Sequence, residues 1–290
     1  MQLELFLDGK KVALETGRFP DGAVRARLLP PLLPQAEKLV ARATGMRNMD
    51  DLMLLAQVMD AARRRYDLQW TTLELPWLPY ARQDRHMQEG DSFALKLFAG
   101  FLNQLGFNRV QVLDPHSDVA DAVINNMVSV PQHLCLQQSA SLVAKLQNGM
   151  MLLAPDAGAL KKIHAVAQQV KAHEYGILGK HRDLSSGALS GFSLLQGDVA
   201  GKDVLIADDL CDAGGTFIGS AAVLREAGAR SVSLYVTHGL FTRGVEALLE
   251  QGIDHIWTTT SVADPAIAGE RVELIDIKTI YDNEGTAHAH

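Results

Sequence analysis

The stretch Val204–Ala221, VLIADDLCDAGGTFIGSA, constrains the fold more than any other part of the chain. It begins as an apolar strand, turns acidic at Asp208 and Asp209, passes through Gly214 and Gly215, and continues as a helix. A strand feeding a helix through a glycine turn is half of an α/β unit. The turn offers amide N–H groups at a helix start, Gly214 and Gly215 permit close approach of an anion, and Thr216 adds a hydroxyl. Carboxylates, however, repel phosphate, and a vicinal pair at a strand end is costly unless it meets hydroxyls, a cation or developing positive charge. A site holding both features involves a metal or a charge created during reaction. The plain alternative, a strand-to-helix turn with glycines for geometry alone, leaves the acid pair unexplained.

The same alternation runs along the whole chain. Strand-like runs are LELFL, TTLEL, RVQVL, MMLLA, DVLIAD, VSLYVT, HIWTT and VELIDI. Helical patterns lie between them. One is capped by Asp50, with an apolar face of Leu52, Leu55, Met59 and Ala62. A second follows Ser92, with Phe93, Leu97, Phe98 and Phe101, and ends near Gly106. A third runs from about Ala159 to His173 and a fourth from about Thr216 to Ala227. Alternating β and α at this spacing predicts an α/β fold with mostly parallel sheets, whose strand ends hold the ligand. The pattern runs twice, without a strong sequence repeat.

Composition narrows the function classes. The 290 residues are 47% hydrophobic and 21% charged, as expected of a packed soluble globule. A formal charge of −7 argues against general nucleic-acid binding, and no apolar run is long enough for a membrane span. The first residues, MQLELFLDGKKVALE, alternate like a strand and carry acids early, unlike a secretory signal. Two cysteines, Cys135 and Cys211, fit a reducing, cytoplasmic compartment.

Four further polar clusters follow predicted strands. PYARQDRH (79–86) brings Arg82 and Arg85, forked donors suited to phosphate, or is a solvated loop. DPHSD (114–118) sets His116 beside acids, as a metal or phosphate contact or a turn histidine. In APDAGA (154–159) Asp156 is a site carboxylate or an ordinary helix cap. In GKHRD (179–183) Lys180 and Arg182 lie two apart on an extended segment and face the same side. The LSSGALSG that follows reads as a mobile lid or a plain surface hairpin.

Taken together, these residues resemble a known family. VLIADDLCDAGGT is similar to the ribose-phosphate loop of type I phosphoribosyltransferases. GRFPDGAV, PYARQDR, VLDPHSD, APDAGA, GKHR and GDVAGKDVLIADD follow in the order found in ribose-phosphate pyrophosphokinases, over roughly Gly17 to Ser261. The resemblance implies two similar phosphoribosyltransferase-like α/β domains, 1–135 on the ATP side and 136–290 carrying the ribose-phosphate loop. It implies transfer of the β,γ-pyrophosphate of ATP to the anomeric hydroxyl of ribose 5-phosphate, with Mg²⁺, in nucleotide or NAD synthesis. By position, Lys180 and Arg182 are the catalytic cations. Phe19, Asp21, Arg82, Gln83 and His116 contact ATP. Asp208 and Asp209 hold the ribose hydroxyls, and Asp212, Ala213, Gly214, Gly215 and Thr216 grip the 5-phosphate. His116 and Asp156 serve the metal. A homo-oligomer, dimer or hexamer, is implied because the family's adenine pocket spans a subunit contact.

Several positions depart from the family pattern. Ala23 stands where a glutamate is usual, Gly179 replaces the aspartate before the lysine, and Ala159 ends the APDAGA turn. Ala213 replaces a phosphate-loop threonine and removes a hydroxyl donor worth about 1.5–3 kcal/mol to a charged group. Other readings therefore stay open. One is the same transfer to a larger ribose phosphate such as ADP-ribose. Another is a catalytically silent regulatory homologue. A plain phosphoribosyltransferase would leave PYARQDR without a role.

Overall fold

The structure, a computed structural model, describes residues 1–182 and 189–281. The chain divides into two compact units, Met1–Val130 and Pro131–His290. The first opens with β1 (Gln2–Leu7), β2 (Lys10–Val12) and a separate hairpin of β3 (Leu14–Arg18) and β4 (Val24–Leu28). It continues through β5 (Lys38–Thr44), α1 (Met49–Arg65), β6 (Trp70–Leu75), α2 (Ala94–Asn103), β7 (Arg109–Leu113), α3 (Val119–Val123) and β8 (Met127–Val130). Among the described residues its main sheet has six strands in the order β2-β1-β5-β6-β7-β8. β5 to β8 run parallel, and β1 pairs antiparallel with both β2 and β5. The core packs Leu5, Leu39, Leu73 and Val112 of the sheet with Leu55 of α1 and Phe98 of α2.

The second unit contains α4 (Gln132–Leu136), α5 (Ala140–Gln147), β9 (Met151–Ala154), α6 (Leu160–Val170), β10 (Tyr175–Arg182) and β11 (Leu189–Gln196). It ends with β12 (Asp203–Cys211), α7 (Gly215–Glu226), β13 (Ser231–Gly239), α8 (Glu246–Leu249), β14 (His255–Thr259) and β15 (Val272–Ile275). Seven strands of the described chain form one sheet, β11-β10-β9-β12-β13-β14-β15, parallel except for the β10–β11 pair. The fold is thus α/β, with two mostly parallel sheets flanked by helices.

This order creates a switch point. From β9 the chain passes through α6 to β10 on one side, and from β12 through α7 to β13 on the other. β9 and β12 are neighbours, so the crevice at their carboxyl ends is where such sheets place a ligand. Met151, Leu153, Val204, Ile206 and Leu234 bury the strands beneath it, joined by Phe217 and Leu224 of α7.

Each expected strand run falls on a strand, although MMLLA starts one residue before β9 and VELIDI runs two residues past β15, and the helix ends and faces differ in part. The α1 cap is Asn48, whose extended backbone lets its side chain accept from the Asp51 N–H at 3.1 Å. Asp50 is the second residue of the helix, within its first turn, paired with Arg18 at 2.7 Å. In α2 the buried face is Leu95, Phe98, Ala99 and Leu102, whereas Leu97 and Phe101 are exposed. β5 was not anticipated because Arg42 interrupts its apolar run. That guanidinium is buried against Glu74 on β6.

Candidate functional site

In the second unit the acid pair lies near the end of β12, beside the switch point. Asp209 is buried and Asp208 partly open. The Asp209 N–H donates to Asp208 Oδ1 at 3.0 Å. Loss of hydration, followed by the Asp209 charge, holds the Asp208 carboxyl well above the usual carboxylate range, and the Lys180 charge offsets part of this. The pair is therefore strained electrostatically in the free protein, a state that hydroxyl donors or a cation relieve.

The turn beyond is a helix start. Gly214 has φ +83°, a left-handed conformation suited to glycine, and its carbonyl accepts from the Phe217 and Ile218 N–H groups at 3.0 Å. Gly215 opens α7, and a Cβ placed there meets no atom within 4 Å. Gly215 stands at the amide end of a helix of 12 residues, the end that favours anions. Asp212 at the head of the turn is held by Thr242, beyond β13, whose Oγ1 donates to Asp212 Oδ1 at 2.8 Å and whose N–H donates to Asp212 O at 3.1 Å. Ala213 and Thr216 lie half-buried within the turn.

Asp156 stands after β9, across the switch point. It does act as a cap, its Oδ1 accepting from the Ala159 N–H at 3.2 Å. It also pairs through Oδ2 with Lys180 Nζ at 2.8 Å. Burial alone would raise its pKa, but Lys180 and the Ala159 and Gly158 amides outweigh this and hold the carboxyl below its ordinary value. Lys180 lies on β10, and Arg182 ends the same strand. The Arg182 side chain, Asp183 and residues 184–188 of the expected lid lie outside the described residues. Gly179 supports the Leu195 side chain, whose Cδ1 would lie 2.9 Å from an added Cβ, so the aspartate usual there would require repacking.

The first unit carries the other predicted residues. Arg82, Gln83 and His116 are exposed in loops after β6 and β7, at the carboxyl end of the parallel strands. Asp84, buried between them, ties the loops together: Arg85 forks onto its two oxygens at 2.8 and 2.9 Å, and Ser117 Oγ donates at 2.6 Å. The Arg85 hydrogen bonds hold the Asp84 pKa down at about 2 against burial, helped by Ser117 and by the Arg85 and His116 charges. Phe19 and Asp21 lie on the turn of the β3–β4 hairpin, which Gln57 of α1 ties down at the Val24 carbonyl and Ala26 N–H. Phe19 is exposed, with the Arg25 guanidinium 5.7 Å from its ring centre, and Asp21 Oδ1 accepts from the Ala23 N–H at 3.0 Å.

The structure thus groups Asp208, Asp209, Asp212–Thr216, Asp156 and Lys180 around one switch point, and Arg82, Gln83 and His116 at one end of the other sheet. Asp84 and Thr242 were missed as supports. Asp84 lay inside the PYARQDR motif, whereas nothing local marks Thr242 as the partner of a residue 30 positions earlier.

A family model described as the phosphoribosyl synthetase-associated domain matches residues 192–284. The ribose-phosphate pyrophosphokinase of Granulibacter bethesdensis is 31% identical over 241 residues, spanning 81% of this chain and 74% of that protein. That of Mycoplasma pneumoniae is 33% identical, over 80% of this chain and 72% of the relative. The phosphoribosylpyrophosphate synthetase of Mycobacterium smegmatis shares the fold, with a TM-score of 0.78 at 23% identity over 97% of this chain and 91% of that one. The chain belongs to the ribose-phosphate pyrophosphokinase family.

Proposed function

We propose that this protein is an ATP-dependent diphosphotransferase that moves the β,γ-pyrophosphate of ATP to the anomeric hydroxyl of ribose 5-phosphate, releasing AMP and phosphoribosyl diphosphate. The observation that carries the reading is the acid pair of β12, with Asp209 buried, and the open helix start that follows it at a sheet switch point. Ribose 5-phosphate presents a diol and a phosphate a few bonds apart, which is what those two environments accept.

Asp208 and Asp209 take hydrogen bonds from the ribose hydroxyls, and these donors replace the hydration that burial removed. The amides of Asp212–Thr216 take the 5-phosphate. Holding the sugar at both ends aims its anomeric hydroxyl, which accounts for much of the protein's contribution to such transfers. Lys180 and Arg182 supply positive charge where the transferred group becomes more negative. Phe19, Asp21, Arg82, Gln83 and His116 are the ATP contacts, and the Phe19 hairpin is the element through which a homo-oligomer would share the adenine pocket.

Among the described residues no group of three or more His, Cys, Asp or Glu converges to hold a metal ion by protein alone. Mg²⁺ in phosphoryl-transfer sites needs no such group, since it is held through one or two protein groups together with substrate phosphates. His116 on the ATP side and, separately, Asp156 on the ribose side are the residues that would each contact a metal ion, and Mg²⁺ when bound would neutralise phosphoryl charge and offset carboxylate repulsion. No helix among the described residues is long and apolar enough to cross a membrane. We place the enzyme in the cytoplasm because a chain of this length carries only two cysteines, Cys135 and Cys211, as a reducing compartment favours.

A second acceptor is favoured by one observation. Ala213 brings no hydroxyl to the turn, and the space at Gly215 is open. A ribose whose 5-phosphate is esterified, such as ADP-ribose, would suit that softer grip. The deciding experiment measures AMP release from ATP and Mg²⁺ with each acceptor, using Lys180→Ala as control. AMP formed with ribose 5-phosphate by the wild type and not by the variant supports the leading reading. AMP formed only with ADP-ribose replaces the acceptor. No AMP with either would leave a silent homologue.

A further inference from the structure

We propose that Gln132 is a positioning residue for the acid pair, fixing the peptide between Asp208 and Asp209 so that both carboxylates meet the acceptor's hydroxyls. The inference rests on the acceptor site proposed above and deepens it.

Gln132 is the first residue of α4, 76 positions before Asp208, and only 2% exposed. Its Nε2 donates to the Asp208 carbonyl at 2.8 Å and, through a longer contact of 3.4 Å, to Thr237 Oγ1. Asp208 lies on β12 and Thr237 on β13, so one side-chain amide spans two neighbouring strands at their carboxyl ends. Thr237 is fully buried and held in turn, since its carbonyl accepts from Thr259 Oγ1 at 2.7 Å and Ser261 Oγ at 3.2 Å. The tie is therefore anchored in the sheet and not in a loop.

The Asp208 carbonyl and the Asp209 N–H belong to the same peptide unit. Its oxygen is held by Gln132, and its N–H by Asp208 Oδ1 at 3.0 Å. With both poles occupied, that plane has one orientation, and the orientation sets where the two carboxylates point. A bidentate grip on a diol tolerates only small misplacement, so a loosened peptide weakens acceptor binding without touching the ATP side. Neither hydrogen bond requires Gln132 to touch a ligand; it acts through Asp208.

Gln132→Met tests this, because it keeps the length of the side chain and removes both donors. The loss of about one net hydrogen bond predicts a rise of about five- to tenfold in the KM for the acceptor, with the KM for ATP and kcat within about twofold of wild type. If Gln132→Met does not fold, Gln132→Asn retains an amide that is one carbon too short, with the same expected split. Equal rises in both KM values, or an unchanged acceptor KM, overturn the proposal. A wild type that releases no AMP would refute the proposed reaction and not this tie. Crystal structures of wild type and variant then decide: a reoriented 208–209 peptide in the variant supports the role, and an unchanged one ends it.

Discussion

The two adjacent glycines of the turn before α7 should respond to the same substitution in opposite ways. Gly214 has φ +83°, where an L-residue costs about 1–2 kcal/mol. A Cβ there would also lie 2.8 Å from Leu248 Cδ2 and 3.2 Å from its Cγ. The methyl tip can rotate away, but the branch point has to shift, which adds about 1 kcal/mol of overpacking. Gly214→Ala should therefore lose about 2–3 kcal/mol, a fall in Tm of roughly 5–10 °C for a unit of this size. Gly215 has an ordinary backbone, and its added Cβ meets nothing within 4 Å. As the first helical residue it should tolerate alanine within about 1 kcal/mol, with no fall in Tm. Its empty surroundings are, however, where the acceptor phosphate is proposed to sit, so Gly215→Ala should raise the acceptor KM about tenfold or more. Differential scanning calorimetry and AMP-release kinetics on the two variants separate the effects. A Gly214→Ala protein that melts with the wild type refutes the strain argument. A Gly215→Ala protein with an unchanged acceptor KM refutes the phosphate cradle.

Further outcomes follow from the same geometry. Ala213→Thr restores a hydroxyl to the turn and should lower the KM for ribose 5-phosphate about tenfold, read by AMP release; no change would mean position 213 does not face the phosphate. Cys211 is buried, and burial first, then the Asp212 and Asp208 charges, push its thiol up to about 12. At pH 8 only about one molecule in ten thousand then carries the thiolate, so mass spectrometry should find the Cys211 peptide unalkylated by iodoacetamide until the chain is unfolded. Asp84 is held down at about 2, chiefly by Arg85, so its carboxylate stabilises the fold above the ordinary aspartate range and loses that contribution as pH falls through about 2. Asp84→Asn should accordingly be less stable than wild type at pH 7, with the gap in urea midpoint closing as the acid range is entered; a gap independent of pH would assign the loss to packing.

Much of this could be read from the chain because local pattern and global fold agree. DVLIAD is apolar and β-branched, a helix follows its glycines, and the strand, turn and helix stand where those residues ask for them. The failures have physical causes. A residue that is polar yet buried, such as Arg42 beside Glu74, breaks the alternation that marks a strand while fitting the sheet. The true α1 cap lost to Asp50 on paper because Asn48 and Asp50 are both good caps, and only backbone geometry distinguishes them. In the candidate site, residues on one contiguous motif were legible as candidates from their chemistry. Supports reached across the fold were not, because the pairing of Thr242 with Asp212 or Gln132 with Asp208 is created by topology.

The Ser139–Ser141–Glu273–Trp257 cluster has an optical consequence. Trp257 is buried on β14, with its indole N–H shared between Glu273 Oε2 at 3.1 Å and Ser141 Oγ at 3.2 Å. The same carboxylate accepts from Ser139 at 2.5 Å. Of the chain's three tryptophans, the other two, Trp70 and Trp77, lie in the first unit. With both of those replaced by phenylalanine, the remaining fluorescence belongs to the unit that carries the acid pair. Its red shift on denaturation would time the loss of that sheet separately from its neighbour, making the indole an internal clock for half the molecule.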